Sequence, residues 1–154
     1  MNQNSRPAIL QICGFKNSGK TRLIEELTEK FTEQGLRVLA VKRARECLIF
    51  DSKGRDTQRL FEAGADVIGY DKSQLFQRTH QPSPLKTILS QAGAYDIALV
   101  EGHKSEIWPK IWLLKESETK PPDEVTDIRA VLAPEDDRIK CALDVLENLS
   151  GIDG

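Results

Sequence analysis

The chain has 154 residues, of which 39% are hydrophobic and 30% charged. That length fits one domain spanning 1–154 with a single sizeable core, and the mixture is globular rather than disordered. The net charge of −2 does not point to nucleic acid as a partner, and no apolar run nears the roughly 20 residues that cross a membrane.

Met1 to Arg6 is polar and short and lacks the apolar stretch of a secretory signal, so a cytoplasmic protein is expected. Ala8 to Cys13 reads as a short buried strand. A glycine-bearing turn follows. Thr21 to Gln34 then reads as a helix, with Leu23, Ile24, Leu27 and Phe31 on one face and Gly35 as its stop. Leu36 to Val41 is a second strand. This strand, helix, strand unit has the size of a parallel βαβ crossover. Lys42-Arg43-Ala44-Arg45 is basic, and is either a solvated turn or a place for phosphates.

The middle is less regular. Ile49 to Asp56 reads as a polar loop, and Asp56 to Ala63 as a short helix capped by Asp56 and stopped by Gly64. Val67 to Tyr70 and Leu75 to Arg78 are short strands. Ser83 to Gln91 reads as a helix with Pro84 in its first turn. Ile97 to Val100 is a further buried strand that ends at Glu101-Gly102. Lys110 to Leu114 and Ile128 to Leu132 are strands, and Asp137 to Leu149 closes the chain as a helix. Lys115 to Asp127 is charged, carries Pro121-Pro122 and reads as an exposed loop. Alternating strands and helices imply an α/β fold of the P-loop NTPase kind: a doubly wound, mostly parallel sheet with helices on both faces. Ligands of such sheets bind at the carboxyl ends of the strands.

The turn Gly14-Phe15-Lys16-Asn17-Ser18-Gly19-Lys20-Thr21 matches G-x-x-x-x-G-K-[ST] at every fixed position. A triphosphate is a dense anion and needs several converging donors. Glycines let the backbone curl close to it, and the curled N–H groups form an anion nest. The helix that follows adds the positive end of its dipole. Lys20 is expected to reach the β- and γ-phosphates, and the Thr21 hydroxyl to ligate Mg²⁺. Arg22 lies just beyond. A chance match in a chain this long is roughly a few in a thousand, and this one sits between an apolar strand and an amphipathic helix, as the chemistry requires. Lys16 is either a phosphate contact or a solvated loop charge.

The metal needs a carboxylate from a neighbouring strand end. Glu101 ends the apolar run Ile97 to Val100 and is the first candidate. Asp51 is another, and Asp56 either shares that role or caps a helix. The cysteines Cys13, Cys47 and Cys141 are widely spaced, which argues against a disulfide framework or a zinc site. With His80 and His103 the only histidines, a histidine-rich metal centre is not expected.

Several pieces in order resemble a known family: the octet, Gly54-Arg55-Asp56-Thr57, Ala63-Gly64-Ala65, Leu99-Val100-Glu101-Gly102-His103-Lys104 and Pro109-Lys110-Ile111. Together they are similar to the molybdopterin-guanine dinucleotide biosynthesis protein B (MobB) family, from about Ile9 to Ala133. The resemblance implies a homodimeric GTP-binding protein that assists a molybdopterin guanylyltransferase and hydrolyses GTP slowly. It implies that Gly14 to Thr21 hold the phosphates and that Asp51, Asp56 and Glu101 lie near Mg²⁺. The chain departs from the family where a Lys-His pair usually follows the second strand, since Lys42 is followed by Arg43 here. His103 also replaces the usual aromatic.

Three functions fit these residues. One is a GTP-binding accessory protein of molybdenum cofactor assembly. Another is a small-molecule kinase using ATP, with Arg55, Arg59 and Arg78 available to an acceptor pocket. The third is a nucleotide-regulated binding module, in which Trp108 is either a loop cover or part of a protein-binding surface. Trp112 is expected in the core.

Overall fold

The computed structural model describes residues 7–43, 56–81 and 83–150. The strands are β1 (Ala8–Cys13), β2 (Val38–Lys42), β3 (Val67–Tyr70), β4 (Leu75–Arg78), β5 (Ile97–Glu101), β6 (Lys110–Leu113) and β7 (Ile128–Leu132). The helices are α1 (Lys20–Glu33), α2 (Asp56–Glu62), α3 (Leu85–Ser90) and α4 (Arg138–Ser150), with a 3₁₀ turn at Ala92–Ala94 that the sequence pattern does not announce.

Every strand the sequence implies is present. Their bounds shift where a cap takes residues away. The second strand begins at Val38 rather than Leu36, because the end of α1 uses Gly35 and Leu36. Gly35, at φ 79°, donates to the Thr32 carbonyl, and the Leu36 N–H reaches back to the Phe31 carbonyl at 3.0 Å. That pair of bonds satisfies the last carbonyls of the helix and spends Leu36 on closing it. The third helix starts at Leu85 because the Pro84 carbonyl accepts from Thr87 and Ile88 and so stands as its cap.

The chain divides into two units. The first comprises residues 1–43 and 89–154, and the second residues 44–88. In the first unit five strands form one sheet in the order β2-β5-β1-β6-β7, all neighbours parallel. β1 is its centre. Leu10 and Ile12 of β1 and Ile111 and Leu113 of β6 form a core with Leu23, Ile24, Leu27 and Phe31 of α1 and with Ala142 and Leu146 of α4. This burial of an apolar helix stripe on a sheet face is the main stabilising term of the unit. The alternate residues of the same two strands are Gln11, Cys13, Lys110 and Trp112, which pair in register as Gln11 with Lys110 and Cys13 with Trp112. All four are fully or almost fully buried.

Trp112 is therefore core, as expected. Its ring packs with Cys13, Leu114 and Val125. Val125 lies in the stretch that reads as an exposed loop. The stretch does lack helix and strand, but Val125 is buried and pins it against the sheet. The charges around it conceal this anchor from a composition-based reading.

In the second unit α2 precedes an antiparallel hairpin of β3 and β4. Asp56 is the first described residue of α2, and its carboxylate is 3.8 Å from Arg59. Phe61 stacks on His80 at 3.9 Å, and the Arg78 guanidinium lies 3.9 Å from the same ring's centroid. One face of the hairpin carries Ile68, Tyr70 and Leu75, all exposed, with Tyr70 at 82%. The turn is built by Asp71, whose carboxylate accepts from the Ser73 N–H at 2.7 Å, the Ser73 hydroxyl at 2.8 Å and the Gln74 N–H at 2.9 Å. These bonds, the Ser73 N–H foremost, hold its pKa down at about 2. A depressed carboxylate stabilises the folded turn above its unfolded pKa and loses that contribution as pH falls through the folded one. The Ser73 and Gln74 amide resonances are thus expected to titrate with a midpoint near 2; a midpoint at the ordinary value of 3.8 would remove this role from Asp71.

Candidate functional site

Gly14 to Gly19 link the centre strand to α1 by a turn that only certain residues can make. Gly14, Asn17 and Gly19 have φ of 150°, 63° and 95°. A Cβ at Gly14 would lie 2.4 Å from the Ser18 hydroxyl and 2.7 Å from the Leu113 carbonyl oxygen, so that close approach requires glycine. The Ser18 hydroxyl is buried without a hydrogen-bond partner among the described residues. Gly19 precedes α1 and offers no side-chain cap, and the first turn of α1 has no acidic residue. The N–H groups and dipole of this helix end are therefore not neutralised by a side chain of that turn. Lys20 arches back over the turn and donates to the carbonyls of Gly14 at 3.0 Å and Phe15 at 2.7 Å. Phe15 in turn meets the edge of Trp112, with ring centroids 5.5 Å apart.

Thr21 follows, and its hydroxyl donates to Glu101 Oε2 at 2.9 Å. Glu101 ends β5 beside both Ile12 of β1 and Lys42 of β2. The Lys42 ammonium lies 3.5 Å from the other Glu101 oxygen. Two hard oxygen donors at the mouth of an anion-binding turn fit Mg²⁺, which takes few protein ligands and fills its shell with phosphate and water. No group of three His, Cys, Asp or Glu side chains able to hold a metal occurs among the described residues. Asp51, like Arg45, Gly54 and Arg55, lies outside the described residues. Asp56 belongs to the second unit.

On the other side of the turn, toward β6 and β7, is a cavity of about 830 Å³. Asn17, Ser18 and Gly19 form one wall, Arg22 and Glu26 of α1 another, and residues 114–117, 134 and 136–139 line the rest. Arg22 is exposed and paired with Glu26 at 2.8 Å. Lys16 and Phe15 are exposed at the turn's rim.

Arg138 joins these walls, and the sequence reading passes it over. Its guanidinium donates to the carbonyls of Ser18 at 2.7 Å, Leu114 at 2.8 Å, Ala133 at 3.0 Å and Leu132 at 3.5 Å. Burial lowers its pKa, against the opposing fields of Asp136 and Glu135, and a cation at the first position of α4 also opposes the helix dipole. Four carbonyl partners offset that cost. An arginine at a helix N-terminus, after Asp136-Asp137, is the one signal that the sequence offers.

Gln11 and Lys110 lie in strands that the sequence implies, and Lys110 in one of the pieces that carry the resemblance, but neither was given a role of its own. Both are fully buried polar residues on the centre strands. Burial lowers the pKa of Lys110 and raises that of the Cys13 thiol to about 11, despite the opposing field of Lys110. Cys13 is thus a protonated core thiol rather than a nucleophile. His103 takes a left-handed φ of 57°, and burial, helped by Arg43, lowers its pKa so that it is neutral at pH 7. Trp108 is half-buried.

The family described as Molybdopterin guanine dinucleotide synthesis protein B matches residues 9–134. A molybdopterin-guanine dinucleotide biosynthesis adapter protein of Haemophilus influenzae is 31% identical over 129 residues, covering 80% of this chain and 72% of that protein. A probable adapter protein of the same kind from Bacillus subtilis is 33% identical over 132 residues, covering 80% and 75%. The crystal structure of Bacillus subtilis MobB superposes with a TM-score of 0.72 at 23% identity, over 92% of this chain and 97% of that one, and so shares the fold. No helix among the described residues is long and apolar enough to cross a membrane.

Proposed function

This chain belongs to the molybdopterin guanine dinucleotide synthesis protein B family, and we propose that it is a GTP-binding adapter of molybdenum cofactor assembly. In this reading it works in the cytoplasm, as one nucleotide-binding domain, beside the enzyme that joins guanylate to molybdopterin. The observation that carries the reading is the Gly14 to Thr21 turn, closed under Lys20 and set 2.9 Å from Glu101 through the Thr21 hydroxyl.

Lys20 exchanges the Gly14 and Phe15 carbonyls for phosphate oxygens when nucleotide enters. The turn's N–H groups and the start of α1 hold the phosphates. Thr21 and Glu101 hold Mg²⁺, directly or through its water, and Asp51 is proposed to join them. Held by these residues, Mg²⁺ would supply positive charge to offset charge developing on the phosphates. The Lys42 ammonium lies beside one Glu101 oxygen and leaves the other directed at the Thr21 hydroxyl. The nucleoside occupies the cavity on the β6 and β7 side, with Arg22 at its rim. Guanine presents two adjacent donors, N1–H and the 2-amino group, that one carboxylate accepts together, whereas adenine has no such pair. Glu116 is the carboxylate of the cavity lining proposed to take it, since Asp137 already accepts the Lys140 N–H at the start of α4 at 3.0 Å. Hydrolysis is expected to be slow, since no arginine finger, a role worth about 10³ to 10⁵ in rate, is evident among the described residues.

The exposed Ile68, Tyr70 and Leu75 support a homodimer that covers this hairpin face, since an isolated two-stranded hairpin is at best marginally stable. Equilibrium binding with Mg²⁺ tests the nucleotide reading. GTP is expected to bind more tightly than ATP, and the purified chain to turn over GTP far below the ~1–100 per second of kinases. Equal affinity for the two would remove the guanine assignment, and no binding of either would remove the reading itself.

A further inference from the structure

Gln11 stands in the middle of the centre strand and is fully buried. A buried amide is costly unless its groups are bonded; the Gln11 Oε1 has no hydrogen-bond partner among the described residues, so what the amide contributes lies in its Nε2 bonds. Its Nε2 donates to the carbonyls of Gly102 at 3.1 Å and His103 at 2.9 Å. Cys13, two residues along the same face, donates its thiol to the Gly102 carbonyl at 3.2 Å. Lys110, opposite Gln11 in register, donates to the carbonyls of Trp108 at 2.8 Å and of Glu106. Three buried side chains thus direct every one of these donors at a single segment, 102–109.

That segment begins immediately after Glu101. The chain must turn there by two successive left-handed residues, Gly102 at φ 84° and His103 at φ 57°. Glycine takes that conformation freely, but a residue with a β-carbon does not, and needs outside support. The Gly102 N–H bonds back to the Ile12 carbonyl at 2.9 Å, so one edge of the turn is fixed by the sheet. The other edge is fixed by the Gln11 amide. Glu101 is the residue whose backbone leads into this turn, and its carboxylate must meet the Thr21 hydroxyl.

We propose that Gln11 is a positioning residue for Mg²⁺: by holding the Gly102 and His103 carbonyls it locks the left-handed turn that aims Glu101 at Thr21. Gln11 touches neither metal nor nucleotide. The proposal rests on the assignment of Glu101 to Mg²⁺ above. An apolar residue of the same length would fill the same volume, so what the amide adds is the two bonds to the turn.

The test is a Mg²⁺ titration of the GTP complex, with GTP affinity also measured in EDTA, on the parent, Glu101→Gln and Gln11→Met. Outer-shell partners of metal ligands are typically worth about 10- to 100-fold in metal affinity, so Gln11→Met is expected to weaken Mg²⁺ about tenfold while GTP affinity in EDTA changes less than about twofold. A merely structural role would lower stability and leave the Mg²⁺ affinity of the folded fraction unchanged. Gln11→Asn keeps the amide but shortens its reach by one methylene, and replaces Gln11→Met if that protein does not fold; the same loss is expected. If Glu101→Gln loses Mg²⁺ affinity and the Gln11 variants keep the parent's, the proposal is overturned. If Glu101→Gln itself keeps the parent's, the Mg²⁺ assignment fails and takes the proposal with it.

Discussion

A Gly14→Ala chain is expected to lose about 2–5 kcal/mol of stability and to bind no nucleotide at concentrations that saturate the parent. The new methyl would stand 2.4 Å from the Ser18 hydroxyl and 2.7 Å from the Leu113 carbonyl oxygen. Ser18 can rotate, although it is buried. Leu113 cannot yield, because its carbonyl belongs to a strand held within the sheet by β1 and β7. The backbone of Gly14, at φ 150°, must also take on a side chain it does not suit. Gly35 is the control. Its φ is 79°, yet nothing lies within 4 Å of an added Cβ. Gly35→Ala is therefore expected to cost only about 1 kcal/mol, the price of the conformation alone. Urea unfolding of the two variants, with GTP binding measured alongside, separates collision from conformation. Equal costs at the two positions would mean that the cradle is not close-packed.

Lys20→Ala is expected to weaken GTP binding roughly 10- to 150-fold, the equivalent of a charge-assisted contact of about 1.5–3 kcal/mol. Stability should move by about 1 kcal/mol or less, since the bonds that Lys20 makes to Gly14 and Phe15 replace ones to water. Calorimetric titration of GTP into both proteins checks this. An unchanged dissociation constant would show that Lys20 serves the turn itself and not a phosphate.

The Gly14 to Thr21 turn was legible in the sequence because its shape is written in backbone needs. Gly14 and Gly19 are required locally, and the lysine and threonine beyond them follow at fixed spacing. Glu101 was legible for a similar reason, as the polar end of an apolar run. The strands were legible from composition, with ends displaced by one or two residues: β2 starts late, at Val38, because Gly35 and Leu36 close α1, and it runs on to Lys42, while β5 runs on to Glu101 and β6 stops at Leu113. Gln11 and Arg138 were not legible. Gln11 serves a carbonyl 92 residues away, and Arg138 one 120 residues away. Nothing in the neighbourhood of either residue announces that partner. Lys110 was hidden in the same way: a charged residue opening a strand reads as solvated, and only the fold shows that loop carbonyls surround it. Val125 was masked by the charges around it.

The order of the sheet has a consequence for how the protein is made. β1 is among the first elements synthesised, yet Ala8 pairs with Ile97 and Cys13 with Trp112. At about 5–20 residues per second, the centre strand waits on the order of 5–20 s for its neighbours to leave the ribosome. Through that interval Leu10 and Ile12 are apolar groups on a nascent chain with neither sheet edge to join. The phosphate turn shares the delay, because Leu113 walls Gly14 and Glu101 faces Thr21. Nucleotide therefore cannot template the first half of the fold as it emerges. It can act only on the finished sheet, as a late ligand that holds the assembled strands together.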